Sequence, residues 1–166
     1  MKKELAPICL FVYDRPDETI KTIEALKNNF LAKRSELYIF SDGPKSKDYH
    51  EDVKKVRSYI STIIGFKKIT IFKSKANLGL SKSVISGVQK IIDKNKKVIV
   101  LEDDLITSNN FLDFMNDALN FYEKNEKIMS ISGYTMNLKD LVNLDRDFYF
   151  GVRSSSWGWG TWKKNW

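Results

Sequence analysis

Val98-Ile99-Val100-Leu101 runs directly into Glu102-Asp103-Asp104, four aliphatic residues followed by three consecutive acids. A short unbroken apolar run between polar residues is the signature of a central strand covered on both faces. The acids therefore stand where that strand ends. Two carboxylates about 5 Å apart repel by roughly 3 kcal/mol at an effective dielectric of 20. A hard divalent cation removes that cost and can bridge to a substrate phosphate. Strand alternation would put Glu102 and Asp104 on one side and Asp103 on the other. The competing reading is a solvated turn, with Thr107 or Ser108 capping the next helix; the buried strand before it favours the metal.

Outward from this stretch, strand-like and helix-like patterns alternate. Pro7 to Val12 reads as a first strand, and Pro16 opens a helix carrying Ile20, Ile23, Leu26 and Phe30. Leu37 to Phe40 is a second strand, ending in Ser41-Asp42-Gly43-Pro44, and Val53, Val56, Ile60 and Ile63 mark a second helix. Lys68 to Phe72 alternates as a third strand, and Asn77-Leu78-Gly79 opens a helix with Val84, Ile85, Val88, Ile91 and Ile92. Beyond the acids, Phe111, Phe114, Met115, Leu119 and Tyr122 space a fourth helix, and Ile128 to Ser132 returns as a strand. Asp147 to Val152 reads as one more strand, followed by a loop from Arg153 to Trp162. This order predicts an α/β fold: an open, mostly parallel sheet with helices on both faces. Such sheets bind ligands beyond the carboxyl ends of their strands. Tyr13-Asp14-Arg15, Asp42-Gly43 and Glu102-Asp103-Asp104 converge there.

Composition narrows the functional classes. With 166 residues, 42% hydrophobic, the chain suits one compact domain with a substantial core. The longest uncharged run, Ile128 to Leu138, has 11 residues, against the ~18 that a membrane span needs. Lys2 and Lys3 precede Glu4, and the following apolar run contains Pro7, which suits a strand better than a secretory leader. Cys9 is the only cysteine and His50 the only histidine, so an internal disulfide or zinc cage is excluded and a metal would need carboxylates. The net charge is +7, but 23 of the 28 basic residues are Lys, scattered along the chain. That argues for a solvated surface over a nucleic-acid face, and also suits anionic substrates or a membrane surface. There is no G-x-x-x-x-G-K-[ST] and no G-x-G-x-x-G after the first strand, which disfavours P-loop and dinucleotide enzymes.

Other candidates have two readings each. Asp42 could accept hydrogen bonds from a base or ribose, or simply make an Asp-Gly turn. Arg15 could meet phosphates, hold Asp42 or be exposed. Asn77 to Lys82 could aim backbone N–H groups and Lys82 at an anion, or be a glycine turn with a surface lysine.

Together these residues resemble the nucleotide-sugar-binding part of GT-A-type glycosyltransferases, in particular the N-acetylglucosaminyltransferase I-like and family 2 inverting group. The resemblance runs from Pro7 to about Trp162. Its most specific piece is Val98 to Leu105, with the Glu-Asp-Asp metal motif, followed by Asn110-Phe111-Leu112-Asp113-Phe114. The resemblance implies a Rossmann-like GT-A fold, with 1–138 binding the nucleotide-sugar and 139–166 beginning the acceptor side. It implies that Asp104 binds Mn2+ (or Mg2+), Asp103 meets the ribose and Glu102 contacts the transferred sugar. Tyr13, Arg15, Asp42 and Lys82 would serve the nucleotide, with Asp42 at the uracil edge. Trp157-Gly158-Trp159 would line the sugar site.

The implied activity is metal-dependent inverting transfer of a hexosyl or N-acetylhexosaminyl group from a UDP-sugar to a saccharide or glycolipid acceptor, with no nucleic-acid partner. By analogy it belongs to polysaccharide biosynthesis in the cytoplasm, peripheral to the inner membrane face. The family's general base lies beyond the tryptophan-glycine loop, whereas the last acid here is Asp147. The expectation is that the base and acceptor half lie outside this chain; Asp140, Asp145 and Asp147 are poor substitutes. Two alternatives stand beside this reading: a nucleotidyltransferase making an activated sugar, and a non-catalytic basic module that binds polyanions.

Overall fold

The computed structural model describes residues 4–136 and 148–166. Among the described residues six strands form one sheet: β1 (Ile8–Val12), β2 (Glu36–Ser41), β3 (Lys68–Lys73), β4 (Lys97–Glu102), β5 (Ser130–Ser132) and β6 (Trp159–Trp162). The helices are α1 (Pro16–Lys27), α2 (His50–Ile60), α3 (Leu80–Ile92) and α4 (Phe111–Phe121). The strand order is β3-β2-β1-β4-β6-β5. The first four strands are parallel, while β6 runs antiparallel to both β4 and β5.

The two central strands account for the two-layered cover. All five residues of β1 are buried, as are Val98 to Leu101 in β4. One face of the sheet, through Ile8, Leu10, Ile99 and Leu101, packs against α1, α2 and α4 by way of Ile23, Leu26, Val56, Ile60, Leu112, Met115 and Leu119. The other, through Cys9, Phe11, Val98 and Val100, meets α3 by way of Val88, Ile91 and Ile92. Burying such side chains contributes about 1.5–3 kcal/mol each. Cys9 is part of this apolar layer, and burial drives its thiol pKa upward. Because α1 and α2 cover one face and α3 the other, strand order reverses between β1 and β4. In an open α/β sheet that switch point creates a crevice at the carboxyl edge.

Several expectations change at element ends. The first helix stops at Lys27, and Phe30 is 72% exposed. Buried Asn29 ends it, donating to the Thr107 hydroxyl and accepting from the Leu112 N–H. Ile85 stays on the solvent side of α3, because Val88, Ile91 and Ile92 set the buried stripe. The expected strand at Asp147 to Val152 is not formed over 148–152, and Asp147 lies outside the described residues, as do Asp140, Asp145 and the boundary between 138 and 139. The expected loop from Arg153 to Trp162 instead ends in β6, inserted between β4 and β5. Small Gly160 lets it in: a Cβ there would stand 2.9 Å from the Val98 carbonyl oxygen. Buried Trp162 anchors it, its indole Nε1–H donating to the Leu119 carbonyl at 2.9 Å. Among the described residues no helix is long and apolar enough to cross a membrane.

Candidate functional site

The switch point brings the ends of β1 and β4 together. Arg15 stands just before α1, and its guanidinium bridges two acids: Nη2 to Asp103 Oδ1, and Nη1 to Asp104 Oδ2 at 2.8 Å. Asp103 is buried, and its second oxygen accepts the Tyr13 N–H at 3.2 Å. Its carbonyl oxygen accepts the Thr22 hydroxyl of α1 at 2.9 Å. Both Asp103 oxygens are thus committed to holding the end of β1 against the end of β4. Burial raises the Asp103 pKa, with Arg15 and the Tyr13 N–H pulling the other way.

The alternation expected for the three acids fails beyond the strand. Glu102 is the last residue of β4 and lies on the α3 side, in register with Phe11. Asp103 and Asp104 belong to the following turn, so one guanidinium spans them both. Burial, reinforced by Asp104 and Asp103, raises the Glu102 pKa. Three acids with one arginine leave the cluster negative, as a divalent cation requires. Among the described residues no three His, Cys, Asp or Glu side chains converge into a metal cage. What the chain offers is the Asp104 carboxylate, 43% exposed and held by Arg15 through one oxygen. That fits a cation of the Mg2+ or Mn2+ kind, which binds through one or two carboxylates and completes its shell with water and substrate phosphate.

Asp42 lies at the end of β2 and is 8% exposed. One oxygen accepts the N–H of Gly43 at 2.8 Å and of Leu78 at 2.9 Å; the other accepts Leu78 at 3.1 Å and Gly79 at 2.9 Å. Its lone pairs are therefore directed at its own loop and at the turn opening α3. That turn leads into exposed Lys82, the third residue of α3. Tyr13 stacks on Tyr49, ring centroids 5.9 Å apart, and its hydroxyl accepts the Lys45 N–H. Sequence reasoning missed Tyr49, and also Arg57, which grips the ends of β2 and β3. The available signal for Arg57 was an arginine adjoining Val53 and Val56 on a helix in a lysine-rich chain.

The tryptophan-glycine residues reach the same edge through the antiparallel pairing of β6. Trp159 pairs with Val100, so the loop before β6 lies beside the end of β4. Gly158 has φ +66, a left-handed conformation natural to glycine, and its carbonyl accepts the Gly133 N–H at 2.7 Å. Trp157 is half exposed and meets Tyr134 edge-on at 4.6 Å. Trp159 stacks on Trp166 at 5.9 Å. The structure therefore gathers Tyr13, Arg15, Glu102, Asp103, Asp104, Trp157 and Gly158 around the switch point, with Asp42 one strand beyond β1 along the same edge and Lys82 at the start of α3.

No protein-family model matches the chain, and no curated protein does. Solved structures do. A mannosyltransferase from Pyrobaculum calidifontis in complex with GDP-Man and Mn2+ matches over 80% of this chain with TM-score 0.52 at 10% identity. S. aureus TarS 1–349 in complex with UDP-GlcNAc covers 71% at TM-score 0.45 and 15% identity. A putative nucleotide-diphospho-sugar transferase from Desulfovibrio desulfuricans covers 98% at TM-score 0.46 and 13% identity. The chain spans 38% of the mannosyltransferase and 31% of that TarS chain. Sheet order, helix placement and the mannosyltransferase likeness agree on the fold: the chain has a Rossmann-like α/β fold, which it shares with that mannosyltransferase.

Proposed function

We propose that this chain binds a nucleoside-diphosphate sugar, a UDP-sugar in the first instance, at the carboxyl edge of β1 and β4, as part of a metal-dependent inverting glycosyltransferase. The observation that carries the reading is the crossing of Arg15 from β1 onto Asp103 and Asp104 from β4 at the switch point. Asp104 would hold Mn2+ or Mg2+, and a cation bound there supplies Lewis-acid stabilisation of the charge on a leaving diphosphate. Asp103 keeps Arg15 and the Tyr13 backbone in place beneath the nucleotide. Glu102, with its raised pKa, faces the transferred sugar and offers its hydroxyls a carboxyl group. Exposed Trp157 presents an aromatic face suited to the C–H side of a sugar ring. The acceptor is a saccharide or glycolipid.

A second reading has its own observation. On the α3 side, Tyr38 and Phe72 floor an open groove bordered by Lys68, Lys90 and Lys94, with the Lys90 ammonium 4.2 Å from the Phe72 ring centre. An anionic polymer would suit it. Calorimetric titration of UDP with Mn2+, then with EDTA, separates the two. Binding that needs the metal supports the nucleotide-sugar site. Salt-sensitive binding of a polyanion such as heparin, indifferent to Mn2+ and without UDP affinity, would replace it.

A further inference from the structure

Arg57 occupies the buried side of α2, where a hydrophobic residue would ordinarily sit, and spends its guanidinium on backbone. Nε donates to the Ser41 hydroxyl at 3.1 Å, and Nη2 donates to the carbonyls of Asp42 at 3.0 Å and Ser74 at 2.6 Å. The Ser41 carbonyl lies 3.4 Å from the same nitrogen and also accepts the Ser74 N–H at 2.9 Å. These groups mark the ends of β2 and β3. Carbonyls turned inward at strand ends need a donor, and a planar guanidinium fork serves several at fixed angles where an ammonium cannot.

The two loops so tied are also pressed against each other. A Cβ on Gly43 would come 2.5 Å from the Ala76 carbonyl carbon, and Asn77 Nδ2 donates to the Gly43 carbonyl at 2.9 Å. Between the straps sits Asp42, fixed by Arg57 through its carbonyl and holding Leu78 and Gly79 through its carboxylate. The chain of contacts runs from α2, through two strand ends, to the first turn of α3.

We propose that Arg57 is a positioning residue of the nucleotide-sugar site: it fixes Asp42 beneath the Asn77–Gly79 turn, and so sets where the start of α3 and Lys82 stand relative to the nucleotide. The inference rests on the nucleotide-sugar reading above and extends it to a residue remote from the acids. It also gives Asp42 the task of ordering a turn in place of reading a base.

The test uses amide hydrogen exchange and nucleotide titration on the intact chain and three variants, Arg57→Gln, Arg57→Lys and Asn77→Ala. The Leu78 and Gly79 amides are expected to exchange at least about tenfold faster in Arg57→Gln. The Tyr13 amide, bonded to Asp103 at the other end of the edge, should keep its rate. The affinity for UDP with Mn2+ should fall about tenfold, with Arg57→Lys and Asn77→Ala between wild type and Arg57→Gln. Uniform acceleration of all amides, Tyr13 included, would make Arg57 merely structural and overturn the proposal. Looser Leu78 and Gly79 amides with undiminished UDP affinity would overturn it too. Failure of the wild type itself to bind any nucleoside diphosphate with Mn2+ would overturn the parent reading and the nucleotide role of Arg57 with it, while the exchange rates still show what holds the turn.

Discussion

The two halves of the sheet are built by different means. β1 to β4 are separated by helices and pair in parallel, and the two central ones, β1 and β4, bury continuous apolar runs. β5 and β6 are short, antiparallel and rich in Ser, Gly and Trp. In the parallel half each strand carries its own signal, an unbroken apolar run such as Val98 to Leu101 in the centre and alternation toward the β3 edge. In the antiparallel half Gly160 and Trp162 gain meaning only from the neighbours they meet, β4 on one side and β5 on the other. The first half fixes the acidic edge through charge, and the second delivers the tryptophan loop to that edge through shape.

The largest expected effect breaks the second half. Trp162→Ala empties a buried indole site and removes its bond to the Leu119 carbonyl, costing about 3–5 kcal/mol in denaturant unfolding. Trp157→Ala, at a half-exposed ring, should change stability by no more than about 0.5 kcal/mol and act on nucleotide-sugar affinity instead. Equal destabilisation by the two would erase the distinction between anchor and loop.

Next comes the charged edge. Asp103→Ala strands the Tyr13 N–H and one arm of Arg15, a loss of about 2–3 kcal/mol by the same measurement. If Asp103→Ala unfolds at the wild-type denaturant midpoint, the acid does not join the two strands. Gly160→Ala follows at about 1–3 kcal/mol, since its methyl would press on the Val98 carbonyl and the Leu119 and Met115 side chains. A wild-type melting profile for Gly160→Ala would show that β6 is not seated against β4 as described.

The smallest effect is a pH slope. Burial and its two acidic neighbours raise the Glu102 pKa above 4.5, so the folded chain holds this proton more tightly than the unfolded one. Its contribution is then greatest below the unfolded pKa and declines as pH rises through the raised folded value. Glu102→Gln should melt higher than wild type at pH 7 and no higher at pH 4. A melting advantage that is the same at both pH values would show that Glu102 is not under electrostatic stress.

Much of this was legible from residues alone. The parallel strands, the four helices and the convergence of Tyr13-Asp14-Arg15 with Glu102-Asp103-Asp104 follow from local hydrophobic pattern and the rule for strand ends. What escaped was non-local. Trp159–Trp162 reads as a loop because its strand character comes from partners about 30 and 60 residues away in sequence. Asp42 reads as either a base acceptor or an Asp-Gly turn, because the Leu78 and Gly79 backbone donors that fill it lie more than 30 residues away. Arg57 reads as one more surface cation because nothing near it in sequence shows that Ser41, Asp42 and Ser74 turn their carbonyls toward it.

Under the proposed function, the acid edge binds a nucleoside diphosphate through a metal held by Asp104. Side-by-side calorimetric titration of UDP with Mn2+ into wild type and Asp104→Ala tests it most directly, because Asp104 is exposed enough that its loss should leave the fold intact. Metal-dependent binding is expected in the wild type and is expected to disappear in Asp104→Ala, with unchanged melting temperature. Equal affinity in the two proteins would contradict it.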